Sequence, residues 1–578
     1  MATVAIPIED WATLPWKQYE RNVYRLQRRI YQAARRGDWK RVHSLQRLLL
    51  HSWSTRCLAV RRVTQENRGK RTPGVDGVAS LTPSERLALA RRLGNITNWR
   101  VAPIRRTYIP KPNNPSEKRG LGIPVMNDRA LQALVKLALE PEGEAQFEPN
   151  VYGFRPGRSP HDAIGAIFNC IHLKPKYVFD ADFEKCFDRI NREALLKKLH
   201  AIQPIQRLIR GWLEAGIWEK GQLVFPEAGT PQGGVVSPLL ANIALHGLEG
   251  TIAKAVHKNP PAVIRFADDL VVLHADLDIL KKTIQVAETW SAQIGLNFKA
   301  SKTRITHTLD EHEGNVGFDF LGFHVQQYHV GKHRTATYRG RSGFKTIIQP
   351  SRQGIQRHLD KIRGETRRRR GAPQAAVIAT LNPIIRGWAN YYRTCVAKRI
   401  FKKMDSLVYD QLRHWAHFRH PGKCGGWRYH RYWRYQPQGS RVRMSFSDGT
   451  HTLECHADTL IVRHIKVKGD KSPYDGDWVY WSARMGRDPT KPGHVTRLLK
   501  QQQGRCGQCG LRFMTEDMIE VHHQDGNRTN NRLTNLVLLH ALCHDQAHGA
   551  SINDNDPCTE EPCNAKVLRT VRERQGGG

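Results

Sequence analysis

The chain has 578 residues, enough for three or four domains that each bury a core of their own. Its 91 Lys and Arg against 53 Asp and Glu leave a formal charge of +38, spread along the whole length rather than gathered in a tail. That field exceeds what solubility needs and selects a polyanionic partner, nucleic acid first among them. No apolar run approaches the ~18 residues of a membrane span, so no membrane role is expected. The opening residues MATVAIPIEDWATLPW match neither a secretory signal nor an Arg-rich transit peptide. The 11 cysteines are mostly scattered, which fits a reducing compartment better than a disulfide framework.

Residues 17–36 place Val23, Leu26, Ile30 and Ala34 at helical spacing, with Arg21, Arg25, Arg28, Arg29, Arg35 and Arg36 between them. Asp38 is a good N-cap for a second helix whose one face carries Val42, Leu45, Leu49 and Trp53. An Arg-rich back is a solvated face in most proteins; at this charge density it reads as a phosphate-tracking surface. After the turn-rich Thr72–Gly77, a strand over Ile104–Ile109, a loop over Pro110–Pro115 and a strand over Leu121–Val125 put Lys111, Lys118 and Arg119 in or beside a hairpin loop. A helix over Asp128–Leu139 and a polar loop over Tyr152–Ser159 follow.

Two stretches then supply carboxylates. In Tyr177–Ile190, strand alternation sets Asp180 and Asp182 on one face, where the strand gives way to a helix. In Arg265–Leu273, apolar residues flank Asp268 and Asp269, as in two buried strands joined by a tight turn. Two like charges ~4 Å apart repel by roughly 4 kcal/mol at an effective dielectric near 20, which a divalent cation would relieve. By itself the pair also reads as an ordinary polar turn. Between these stretches, residues 227–245 form a Gly-rich turn opening an apolar helix. Beyond them come a helix ending near Trp290, Gly295–Phe298 with Lys302, and Phe318–Phe323.

In this order the motifs resemble those of the reverse transcriptase and maturase proteins encoded by bacterial group II introns. The similarity runs from about residue 20 to the C-terminus and carries eight ordered blocks: the Gly74 loop, Ile109–Val125, Tyr152–Ser159, Asp182–Ile190, Thr230–Ser237, Phe266–Asp269, Gly295–Lys302 and Phe320–Phe323. The resemblance implies an α+β multidomain chain with a right-hand polymerase. Fingers and palm with an antiparallel sheet would span 1–345, an α-helical thumb or maturase domain 346–420, a DNA-binding domain 421–495 and a nuclease domain 496–578. It implies that Asp182, Asp268 and Asp269 bind two Mg²⁺ ions, with Asp182 and Asp268 the main ligands. It implies that Phe187 excludes a 2′-hydroxyl and so selects dNTPs. Lys111 and Arg119 would meet the triphosphate, with Gln232 lining the pocket and Lys302 near it. Two departures stand out: Phe266 where many relatives have Tyr, and Gly120 where many have Pro.

From 350 to 420 the pattern is helical and basic, with an Arg367–Arg370 run and the aromatic helix Leu381–Tyr392. Pro421–Gly426 reads as a linker. Trp427, Arg428, Tyr429, Tyr432, Trp433, Arg434 and Tyr435 interleave rings with cations, for stacking on bases at ~1–3 kcal/mol each or for a small β-rich core. Near the C-terminus, Cys506 and Cys509, then His540 and Cys543, have the paired two-residue gaps of a closed structural Zn²⁺ site. His522, His523, Asn535, His544 and His548 accompany them, the last two on one helix face. This order resembles the ββα-metal nuclease motif called HNH. The resemblance assigns His522, His544 and His548 to a divalent ion and His523 to the general base. Asn535 would hold the ββ loop in register and orient that base. His540 stands where many relatives have Cys, and a purely structural Cys/His cluster is the alternative. The implied protein binds its intron RNA, assists splicing, nicks double-stranded target DNA and copies the RNA from the new 3′ end, in the bacterial cytoplasm at the nucleoid. A maturase with a decayed polymerase, or a chain with only the nuclease active, would be the competing readings.

Overall fold

The structure, a computed structural model, describes residues 10–548 apart from 112–113, 226–228, 230–231, 331–342, 439–440, 486–487, 489–490, 514–516 and 528–529. The expected Thr230, the tip of the Pro110–Pro115 loop and the side chain of Lys111 therefore lie outside the described residues. Helices Trp16–Arg35, Trp39–His51 and Trp53–Arg61 pack against a long helix, Met126–Gln146. Asp38 accepts from the Arg41 amide at 3.1 Å, as its N-cap reading requires. Trp53, expected on the second helix, begins the third instead, because extended backbone at Ser52 breaks the chain between them. The long helix also outruns its expected end at Leu139, continuing through Pro141. Burial of almost every residue from Met126 to Ala145 outweighs the missing proline donor.

In chain order the next strands are β1 (Ile104–Lys111), β2 (Asn114–Ile123), β3 (Tyr177–Asp182), β4 (Ile217–Glu219), β5 (Gln222–Val224), β6 (Ala262–Phe266), β7 (Asp269–His274) and β8 (Arg304–His307). They form two four-stranded sheets, β2-β1-β4-β5 and β6-β7-β3-β8. The first corrects the loop placement of Lys118 and Arg119. The β1–β2 ladder runs to Lys111↔Asn114, so both cations sit on β2, with Arg119 opposite Ile109. The second sheet is covered on both faces. Phe179, Val263, Leu270 and Val272 join the core of the N-terminal helices, while Val178, Ile264, Val271 and Leu273 join a second core with Trp388 and Tyr392. Double coverage explains why β7 is apolar without alternation.

A three-stranded sheet of β9 (Phe318–Phe320), β10 (Phe323–His329) and β11 (Phe344–Pro350) leads into helices Arg352–Arg368, Gln374–Tyr392 and Lys398–Arg419. Tyr391 and Tyr392 donate their hydroxyls to the Leu321 and Gly322 carbonyls at 2.9 and 3.0 Å, docking these helices on the sheet. The expected linker is short: a helix already starts at Gly425 and runs to Tyr432, followed by the hairpin β12 (Trp433–Gln438) and β13 (Arg441–Phe446). Tyr432, Trp433 and Phe446 pack with Leu412 and Trp415 in one core, so only Trp427 and Tyr435 of the aromatic series stand well out in solvent. The chain then returns to the first two layers. Tyr474 donates to Glu140 at 2.7 Å, and fully buried Asp162 accepts from Arg484 at 2.7 Å and pairs with His464 at 3.0 Å. The last unit is a helix (Gly493–Gln501), β14 (Ile519–His523), β15 (Leu536–His540) and a helix (Ala541–Ala547) around a small core of its own. It touches the first long helix where the Arg512 amide donates to Glu20 at 2.9 Å. Among the described residues no helix is long and apolar enough to cross a membrane.

Candidate functional site

Asp182 ends β3 directly opposite Asp269, the first residue of β7. Phe266 pairs with Asp269 across the β6–β7 hairpin, which leaves Ala267 and Asp268 as a two-residue turn. Ala267 takes a left-handed φ of 57°, unusual for a residue with a Cβ. Three neighbours hold it there. Gly153 lies beneath the turn so closely that a Cβ would come within 2.2 Å of the Ala267 nitrogen. Arg265, itself buried, donates to the Ala267 carbonyl at 3.1 Å and to Asn242 at 3.2 Å. Asn242 in turn donates to the Gly153 carbonyl at 2.8 Å. These contacts fix the turn, while strand register sets Asp182 opposite Asp269 and near enough to Asp268 to act on both electrostatically.

Burial, then repulsion from the neighbouring carboxylates, raises Asp268 above the usual carboxylate range and pushes Asp269 up to about 8. The Lys302 ammonium pairs with Asp182 and offsets part of that repulsion. Asp180 shares its face of β3, yet Arg304 pairs with it at 3.1 Å; burial lifts it to about 6. Carboxylates crowded in this way, with Asp268 and Asp269 both raised, suit a hard divalent cation such as Mg²⁺.

The side chains expected around a nucleotide lie beside these acids. Arg119 donates to Gln232 at 2.7 Å, and the Gly122 amide donates to the Gln232 carbonyl at 2.6 Å. Both Arg119 and Lys302 act electrostatically on Asp268. Gly233, at φ 110°, lets the turn approach the Gly122 carbonyl, which a Cβ would meet at 2.4 Å. Phe187 is buried with its ring edge-on to Phe154, centroids 6.3 Å apart. The backbone of Lys111 ends β1.

At the other end of the chain, the donor atoms of Cys506, Cys509, His540 and Cys543 all lie within 4.8 Å of one another, and so do those of His522, His544 and His548. His540 faces Cys509 through Nδ1 at 3.3 Å, and its Nε2 meets the Asp517 carboxylate at 3.3 Å. His544 is also backed by a carboxylate but through the other nitrogen, with Nδ1 on Glu520 at 2.9 Å and Nε2 toward His548 at 3.2 Å. A carboxylate behind each imidazole is the arrangement that fixes a metal-binding tautomer. Thiolate and imidazole donors suit Zn²⁺ in the first cluster. Asn535 laces the ββ loop, donating to Asp525 at 2.8 Å and to the Asn530 carbonyl at 2.9 Å while accepting from the Asp525 amide at 3.1 Å. The side chain in contact with His523, however, is Asn531, at 3.3 Å. The contact with His523 expected of Asn535 is thus made by Asn531.

Comparison with known proteins fits this geometry. The family described as reverse transcriptase (RNA-dependent DNA polymerase) matches residues 109–325, which hold all three aspartates. The N-terminal domain of reverse transcriptase matches 11–93, and the group II intron maturase-specific domain matches 355–433. Protein YkfC of Escherichia coli is 31% identical over 331 residues, covering 50% of this chain and 82% of that protein. The chain belongs to the reverse transcriptases that carry a group II intron maturase domain. Maturase-like protein 1 of Euglena gracilis is 28% identical over 385 residues, 65% of this chain and 76% of its own. The group II intron-encoded protein LtrA of Lactococcus lactis is 35% identical over 187 residues, 32% of this chain and 31% of its own.

Within this reverse transcriptase, the sequence motifs do not single out Arg265, Asn242 and Gly153, which build the turn rather than the chemistry. One signal is present: an arginine inside the apolar run Ala262–Phe266 must find partners if buried. Asp517 and Glu520 carry none, because carboxylates behind imidazoles have no fixed spacing in sequence.

Proposed function

We propose that this reverse transcriptase is the mobility protein of a group II intron. It copies intron RNA into DNA, grips that RNA through the maturase helices, and cuts target DNA with its C-terminal module to make the primer. The convergence of Asp182, Asp268 and Asp269 at the end of the doubly covered sheet carries the polymerase assignment. Two Mg²⁺ ions held by these residues would activate the primer 3′-hydroxyl and neutralise the departing pyrophosphate. Lys302 pairs with Asp182, and Arg119, braced by Gln232, would present a guanidinium to the triphosphate. Phe187 closes the sugar side of the pocket against a 2′-hydroxyl.

In the C-terminal module, His523 would take a proton from the attacking water, and Asn535 holds the loop that positions it. His522, His544 and His548 would hold a divalent ion that stabilises charge on the cleaved phosphate. The Cys506, Cys509, His540 and Cys543 cluster would hold Zn²⁺ and with it the fold of the module. One pair of assays tests the reading. The intact protein should extend a DNA primer on RNA with dNTPs and Mg²⁺, and should cleave double-stranded DNA carrying the intron's insertion site. Absence of extension from active, RNA-bound protein would overturn the polymerase assignment; absence of cleavage would restrict the module to a structural role.

A further inference from the structure

A cavity of about 810 Å³ lies between the N-terminal helices and the C-terminal Cys/His module, away from the palm carboxylates. Lys17, Arg21 and Arg25 enter it from one face of helix Trp16–Arg35, each four residues from the last. Arg86, 2% exposed, closes it from helix Pro83–Arg92, and Arg61 closes it from behind Trp16. The Arg61 guanidinium stacks 4.7 Å over the Trp16 ring and pairs with Glu66 at 2.7 Å, so its charge is already answered. Among the described residues lining the cavity there is no carboxylate. Lys17, Arg21 and Arg25 thus line this space with no carboxylate in its described wall, a lining that suits an anion. Trp11, Leu14 and Pro15 make an apolar wall beside them, and Cys509, Cys543 and Gln546 form the far side. The volume falls in the range of small-ligand sites and exceeds what a bare phosphate fills.

We propose that this cavity binds one phosphate-bearing nucleotide. Its phosphate is held by Lys17, Arg21 and Arg25, and its base lies against the wall of Trp11, Leu14 and Pro15. Charge-assisted hydrogen bonds to phosphate and contact of a base with an indole ring are the two interactions this lining offers together. The nucleotide is either a free mononucleotide or one unstacked residue of a single-stranded RNA; both present the same chemistry. Because the Cys/His module forms one wall, the site exists only while that module is docked on the N-terminal helices.

Photolabelling of the full chain tests this, without added Mg²⁺ so that the palm site is not loaded. The probes are 8-azidoadenosine monophosphate and a short single-stranded RNA carrying 4-thiouridine. Adducts are expected within residues 11–25 or 83–86. The double reversal Arg21→Glu with Arg25→Glu should weaken binding of the labelled probe about tenfold or more. Reversal of the exposed Arg41 and Arg47 on the next helix should leave it unchanged. Labelling by the mononucleotide assigns a free-nucleotide site, and labelling by RNA alone assigns a strand nucleotide. No adduct at these peptides with either probe overturns the proposal, as do equal losses in the two double variants, which would mean general attraction to a basic surface. Primer extension is a separate readout and reports on the palm alone.

Discussion

The palm and the C-terminal module gather their candidate metal donors by opposite routes. In the palm, three aspartates sit at the end of a sheet buried on both faces, and strand register alone sets two of them opposite each other. Among its described residues the module has two strands, two short helices and a small core, and a hairpin of that size is marginal without reinforcement. Its Cys506, Cys509, His540 and Cys543 cluster joins the Cys506–Cys509 turn to the end of β15 and the helix after it. On the proposed function, the palm is built without the cation it would use, whereas the module would take Zn²⁺ as part of its scaffold.

The sharpest test of that contrast is Cys506→Ser, or chelation of the intact chain. Structural Zn²⁺ contributes roughly 10 kcal/mol or more to small folds, so amide protons of Ile519–His523 and Leu536–His540 should exchange freely. Those of β3 and β7 should stay protected; loss of both together would erase the distinction. Asp268→Ala should do the reverse. RNA-templated extension should fall by about a thousandfold or more, with exchange in β3 and β7 unchanged. Normal extension by that variant would remove Asp268 from the chemistry. His523→Ala should lower cleavage of target DNA by about 10²–10⁴-fold while extension and RNA binding persist; retained cleavage would end its role as general base.

The smallest effect concerns the scaffold under the palm. Glu142 on the long helix is pushed up to about 7 by burial, with Gln46 donating to it at 2.6 Å. The unfolded chain releases this proton near pH 4.5 and the folded chain only near 7, so stability falls as pH rises across that interval and then levels. Glu142→Gln removes the titration. It should gain about 3 kcal/mol at pH 8 and nothing near pH 4, measured as denaturant midpoints of the palm transition. An equal gain at both values would mean that packing, not ionisation, is responsible.

Much of this is legible in the order and spacing of residues alone. Hydrophobic periodicity locates the first helices, Asp38 caps the second, and the apolar runs around Asp268 and Asp269 place a hairpin, although only Asp268 lies in its turn and Asp269 opens the second strand. Two-residue gaps between Cys506 and Cys509 and between His540 and Cys543 group those residues as they stand in space. Other readings fail where local cues compete with burial. Pro141 marks a helix end in isolation, but the helix continues because its surroundings are apolar. The Pro and Asn residues near 112 suggest a long loop, while cross-strand pairing carries the ladder almost to its tip and turns Arg119 from a loop charge into a strand residue aimed at Gln232. Tyr432 and Trp433 are as readable for base stacking as for a core, and packing on Trp415 decides it.

Sequence by itself determined which residues can do chemistry here, because carboxylates, thiols and imidazoles announce themselves by type and by short spacing. It determined the polyanionic partner too, since net charge needs no fold. Tertiary structure decided what holds those groups still: Gly153 and Arg265 beneath the aspartate turn, Asn531 against His523, Asp517 and Glu520 behind the imidazoles. It also decided that the N-terminal helices and the Cys/His module enclose one basic cavity. Such contacts join residues far apart in the chain. Their free energy depends on distance and burial, and neither exists until the chain has folded.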